Sequence, residues 1–208
     1  MYKGRPFIYR TVADIKADID TVKVMVDEIS EVSRKAGQKG QINREVLQAL
    51  LSVTPYLNEN NCFSNVFSWL YYGGKTAFLQ DANSMIMRPH EFVDVLQHLR
   101  RTLNTLTRVT SYTRSKTLAQ RKLEELIAIR EAGLDRIHVG LETGDDELLK
   151  IVRKGVTSAE QIEGGKKAMA AGFQLSEYWM PDLGGRERWR QHAENTARVL
   201  NEINPHYI

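Results

Sequence analysis

The chain has 208 residues, 42% of them hydrophobic and 26% charged, with 29 Lys and Arg against 26 Asp and Glu for a net charge of +3. That length suits one domain with a single sizeable core, or a large piece of a bigger protein. The basic excess is too small, and too spread along the chain, to indicate a nucleic-acid partner. No run approaches a membrane span, and Met1 to Pro6 has no apolar stretch behind it to act as a signal peptide, so cytoplasm is the expected compartment.

The first third reads as helix. Ile15, Ile19, Val22, Val26 and Ile29 recur at spacings of four and three, Thr11 to Asp14 offers a cap, and Gly37 follows the end. A second helix after Asn43 carries Val46, Leu47, Leu50 and Leu51 and stops before Pro55; a third runs from Asn61 to Tyr72 and ends at Gly73-Gly74. The single cysteine, Cys62, lies on this third helix among aromatic residues. It cannot form an internal disulfide, nor hold a zinc or iron–sulfur site alone, and it reads as a small buried hydrophobe.

From residue 76 short apolar runs alternate with helical patterns. The runs are Thr76–Leu79, Thr107–Thr110, Asp135–Leu141 and Phe173–Met180. Between them lie helices expected at Pro89 onward, Leu118–Ala132, Asp145–Lys154 and Ser158–Ala171, the last with Thr157 and Glu160 placed as a capping box. A final helix spans Glu187 to Ile203, with Trp189, His192, Thr196 and Val199 near one side, and Asn204 to Ile208 resembles a further strand beginning. Gly133 and Gly172 each end a helix and lead straight into a strand, which supports a βα-barrel or a doubly wound sheet.

Each apolar run ends in a polar cluster: Gln80-Asp81-Ala82-Asn83, Ser111-Tyr112-Thr113-Arg114, Glu142-Thr143-Gly144 and Pro181-Asp182-Leu183-Gly184-Gly185. Loops at the carboxyl ends of parallel strands converge on one rim, so four such clusters outline one ligand site.

Gly140-Leu141-Glu142-Thr143-Gly144-Asp145-Asp146-Glu147-Leu148-Leu149-Lys150, together with Phe78 to Asn83, Ser111 to Leu118 and Met180 to Gly185, resembles the radical SAM superfamily. The nearest likeness is to the branch containing oxygen-independent coproporphyrinogen oxidases, methylthiotransferases and Elongator-type enzymes. The resemblance implies an α/β fold: a partial, TIM-like βα-barrel of which this chain holds strands two to six, as one incomplete domain with a helical insert at residues 37–72. It also implies a C-x-x-x-C-x-x-C loop after the first strand that carries a [4Fe–4S] cluster. At that cluster S-adenosylmethionine (SAM) is cleaved reductively to a 5′-deoxyadenosyl radical. This chain has no such loop. In the branch a stretch like Met1-Tyr2-Lys3-Gly4-Arg5 can follow the third cysteine, so the chain is expected to be a fragment that starts just downstream and is inactive alone.

The same resemblance assigns cofactor-binding roles. Asp81 and Asn83 take the place of a motif for the SAM amino group, with two family glycines replaced by Gln80 and Ala82. Ser111 falls near the SAM carboxylate or ribose, Arg114 and Lys154 near the carboxylate, Glu142 at the ribose hydroxyls, and Tyr178 and Met180 at the adenine, where Asp182 replaces an expected glycine. Taken singly, Asp81 and Asn83 also fit an Asx turn, Glu142 a helix cap, Arg114 and Lys154 solvated charges, and Met180 core packing. Two other readings stand beside this one. One is a non-radical barrel enzyme using Glu142, Lys116 or Arg114 on a small anionic ligand; the other is a non-catalytic barrel module. An uncovered barrel edge predicts self-association.

Overall fold

The structure is a computed structural model that describes residues 9–80 and 83–208. These residues fold as two compact units, one formed by the chain up to Lys75 with His98–Thr107, the other by Thr76–Gln97 with Arg108–Ile208.

The first unit is helical. Helix α1 (Val12–Lys35) is capped by the Thr11 hydroxyl, which accepts from Asp14 N at 3.1 Å. Helices α2 (Arg44–Val53) and α3 (Asn61–Tyr71) start at Asn43 and Asn60, whose side-chain oxygens accept from Val46 N and Phe63 N, each at 3.1 Å. Such caps satisfy donors that the first turn leaves without partners. The apolar stripes meet in a core of Ile29, Val46, Leu50, Phe63, Val66 and Phe67. Ile29 brings α1 into the same core as α2 and α3. Cys62 lies outside this core. It is exposed, with Sγ 3.9 Å from Met25 Sδ, because Phe63, Val66 and Phe67 take the inward positions of α3.

The second unit is a four-stranded parallel sheet, β1 (Thr76–Leu79), β2 (Arg108–Thr113), β3 (Arg136–Glu142) and β4 (Gln174–Trp179), in the order β1-β2-β3-β4. Strand order that follows chain order is the winding of a barrel wall; a doubly wound sheet reverses at a switch point. Tyr207 forms an isolated parallel bridge to Ser176, so the chain end begins a fifth position beside β4. Helices α4 (Pro89–Thr102), α5 (Ser115–Gln120), α6 (Leu123–Glu131), α7 (Asp146–Ile151), α8 (Ser158–Ala170) and α9 (Gly185–Ile203) complete the assignment. One sheet face is buried: Val109, Ile137, Val139, Leu141 and Leu175 are fully enclosed.

Three expected boundaries move. Strand β2 runs on through Ser111, Tyr112 and Thr113, so its end lies three residues later than the apolar run suggests. The helix expected over Leu118–Ala132 is two, α5 and α6, broken at Arg121 and Lys122. Tertiary bonds hold that break: Lys167 of α8 donates to Ala119 O at 2.6 Å and Arg121 O at 3.2 Å, and Arg121 donates to Met85 O at 2.8 Å and Met87 O at 2.7 Å. Helix α7 stops at Ile151, and Arg153 adopts φ 54°, which turns Lys154 off the helix. On α9 the buried stripe is His192, Thr196, Val199 and Ile203, while Trp189 is exposed.

Candidate functional site

The carboxyl ends of the strands gather Glu142, Lys154, Tyr178 and Met180 on one rim. Glu142 ends β3 with φ 63°, a left-handed conformation that costs a non-glycine residue roughly 1–2 kcal/mol. There its carboxylate meets Lys154 Nζ at 2.9 Å, each side chain about a quarter exposed. The pair fits because Gly140 precedes it on the same face. A Cβ there would lie 2.5 Å from Glu142 Oε1 and 3.1 Å from Lys154 Nζ, so the glycine leaves the cradle that the ion pair fills. Met180 N donates to Glu142 O at 3.0 Å, joining the ends of β3 and β4.

A buried polar network, which the motif alone does not announce, fixes this junction. His192 Nε2 lies 2.8 Å from Met180 O and Nδ1 2.8 Å from the Thr143 hydroxyl. A carbonyl can only accept, so Nε2 carries the proton and Nδ1 accepts from Thr143, whose oxygen in turn accepts from Asp145 N at 3.0 Å. Gly144 N donates to Thr196 Oγ1 at 2.9 Å, and a Cβ on Gly144 would meet Asn195 O at 2.5 Å, which explains the Glu-Thr-Gly order. Asp145 is 1% exposed. Burial alone raises its carboxyl pKa, but bonds from Leu148 N, Asn195 and Arg188 outweigh that and leave it below the usual range.

The other predicted residues fall as follows. Asn83 is a bracket: its side-chain oxygen accepts from the Thr113 hydroxyl at 3.1 Å and Arg114 N at 3.3 Å, and its amide donates to Thr117 Oγ1 at 2.9 Å. Arg114 is exposed and lines, with Asn83, Lys116 and Arg121, a cavity of about 400 Å³ at the end of β2. Tyr178 is 48% exposed with its hydroxyl 3.2 Å from His138 Nδ1, and Met180 is 51% exposed, so Met180 is not core packing. Ser111 does not reach the rim. It is fully buried in mid-strand, its hydroxyl 3.3 Å from Leu79 O and 3.1 Å from Tyr112 O, because β2 continues past it. Asp81 lies outside the described residues.

Glu177 has no counterpart in the sequence reading beyond being a charge within an apolar run. It is 1% exposed, its Oε2 has no hydrogen-bond partner, and burial pushes its carboxyl pKa well above the usual range despite the opposing field of Lys154.

The rim thus brings together a carboxylate, an ammonium group and a half-exposed tyrosine and methionine, groups able to hold a polar ligand by hydrogen bonds, charge and stacking. The residues present do not fit a [4Fe–4S] cluster, since Cys62 is the one cysteine and lies on α3 of the other unit. No group of three His, Cys, Asp or Glu side chains could hold a metal ion among the described residues, and no helix among them is long and apolar enough to cross a membrane.

No curated protein matches the chain. Among solved structures, methylornithine synthase is similar at 14% identity and a TM-score of 0.46 over 84% of this chain, and the match spans 65% of that protein's chain. The family model of the radical SAM superfamily matches residues 71–189, more than half of the sequence, and includes the strand ends that form the rim. The chain belongs to the radical SAM superfamily.

Proposed function

We propose that the rim at Glu142 and Lys154 is the SAM-binding edge of an enzyme that cleaves SAM reductively. Its cluster is expected to be held by cysteines that these residues do not supply, and the chain alone is expected to be inactive. The observation that carries the reading is the Glu142–Lys154 pair at 2.9 Å over the open Gly140, held on a left-handed residue within the family-matched span. Bound SAM, given one electron by a cluster that other residues would hold, would supply an oxidant able to take a hydrogen atom from a substrate. The chain's own residues bind and orient. Glu142 accepts from ribose hydroxyls; Lys154 neutralises Glu142 and offers its remaining N–H groups to the ligand. Arg114 and Lys116 offer charge for the methionine carboxylate, and Tyr178 and Met180 form the adenine side.

The test is calorimetric titration of SAM into the chain, alone and extended upstream with its cluster reconstituted anaerobically. Replacing one hydrogen-bonding carboxylate, as in Glu142→Gln, should weaken SAM about tenfold or more. Unchanged SAM affinity in Glu142→Gln would remove Glu142 from the site. Failure of the extended form to take up iron or bind SAM would remove the cofactor assignment altogether.

A further inference from the structure

The more open sheet face carries a continuous row of rings, one from each strand. Centroids are 4.7 Å apart for Phe78 and Tyr112, 5.9 Å for Tyr112 and His138, and 5.3 Å for His138 and Tyr178; Phe78 also lies 5.7 Å from His138. These separations are those of interacting aromatic pairs. The row stays open, with Phe78 40%, Tyr112 37% and Tyr178 48% exposed.

Two guanidinium groups lie toward the strand starts on the same face, Arg108 on β2 and Arg136 on β3, as side-chain alternation from Tyr112 and His138 requires. Arg136 is engaged by Gln174 Oε1 at 3.1 and 2.9 Å, by the Tyr207 hydroxyl at 2.9 Å and by the Tyr207 ring at 4.4 Å. Arg108 has no carboxylate partner among the described residues, and its Nε is shut off from water without a hydrogen bond. Alternation places no carboxylate on this face below Glu142, which Lys154 already neutralises. Burial first, then the fields of Arg136 and Arg108, hold the His138 pKa below its ordinary value, so the ring row is uncharged while cations sit beneath it.

We propose that this face binds a planar organic anion, an aromatic or conjugated carboxylate, with its rings on the Phe78–Tyr112–His138 part of the row and its carboxylate against Arg108. The chemistry is complementary at both ends. Stacking needs only a planar partner, and a guanidinium matches a carboxylate with two parallel bonds. Arg108 pairs in register with Thr76, two residues before Phe78, which puts it roughly 7 Å along the strand from the start of the row, within reach of a carboxylate on a two-ring molecule. That this anion is the substrate rests on the function proposed above, since the row lies directly below the rim; that the face binds it does not.

Calorimetry on this chain with 2-naphthoate, 2-naphthalenemethanol and cyclohexanecarboxylate separates the parts. Naphthoate should bind about tenfold tighter than the neutral alcohol or the saturated acid. Arg108→Gln should bring naphthoate down to the level of the alcohol and leave the alcohol within about twofold of its former affinity. The probe comparison on the unsubstituted chain stands even where that variant folds poorly. Equal binding of naphthoate and alcohol, an Arg108→Gln variant that still prefers naphthoate, or no saturable binding would each overturn the site. Self-association that covers the row and that naphthoate does not disperse would overturn it in favour of a second copy. Loss of SAM binding with naphthoate retained would sink the cofactor reading alone.

Discussion

Glu142 shows how much one residue carries. Its left-handed backbone aims the carboxylate at Lys154, and Gly140 leaves room for both. A methyl group at Gly140 would press on the mobile tips of two side chains and on no backbone, so Gly140→Ala should leave the thermal midpoint level or slightly raised while SAM affinity falls. Scanning calorimetry paired with titration checks both halves. Glu177 gives the opposite kind of residue, a buried carboxyl without a partner for Oε2. Its folded pKa is raised, so the folded state holds a proton that the unfolded state loses above about pH 4.3, and stability falls as pH rises from there toward the folded pKa. Glu177→Gln should therefore raise the melting temperature at neutral pH, with a gain that shrinks toward pH 4. A gain independent of pH would mean that Glu177 is not protonated in the folded protein.

Among the elements, the small residues of α8 decide the packing. A Cβ on Gly164 would come within 2.7 Å of Ser115 O and 3.1 Å of Ala119 N, both backbone atoms of α5. Alanine at a helix interior normally gains about 1 kcal/mol over glycine, but overpacking against backbone costs about 1–3 kcal/mol. Gly164→Ala should thus destabilise on balance in urea unfolding, and a net gain would show that α5 can move away. The break between α5 and α6 belongs to the same scale. Nothing in Leu118–Ala132 is a proline or an internal glycine, so local pattern reads one helix; Lys167 and Arg121 settle it by bonding across elements. The end of β2 moves for a related reason: the polarity of Ser111 reads as a strand end, whereas the strand runs on to Thr113 and the Ser111 hydroxyl lies within reach of two carbonyl oxygens.

At the scale of the molecule, two compact units imply two cooperative blocks of exchange protection. Phe63→Ala empties part of the Ile29–Phe67 core and should cost about 3–5 kcal/mol there. Amide exchange should then quicken across α1 to α3 and hold steady in β3. Equal acceleration in β3 would show that the units open together.

The sequence by itself determined the strand–helix alternation from Thr76, the caps at Thr11 and Thr157, the turns at Gly133 and Gly172, and the family. These depend on near neighbours and on spacing, which a linear chain displays. Tertiary structure alone decided that Lys154 leaves its helix to meet Glu142, that His192 locks the rim, that Cys62 is exposed, and that four rings from four strands form one row. Each of those depends on groups far apart in the chain, and only the winding of the sheet and the packing of helices on it bring such groups within a few ångströms.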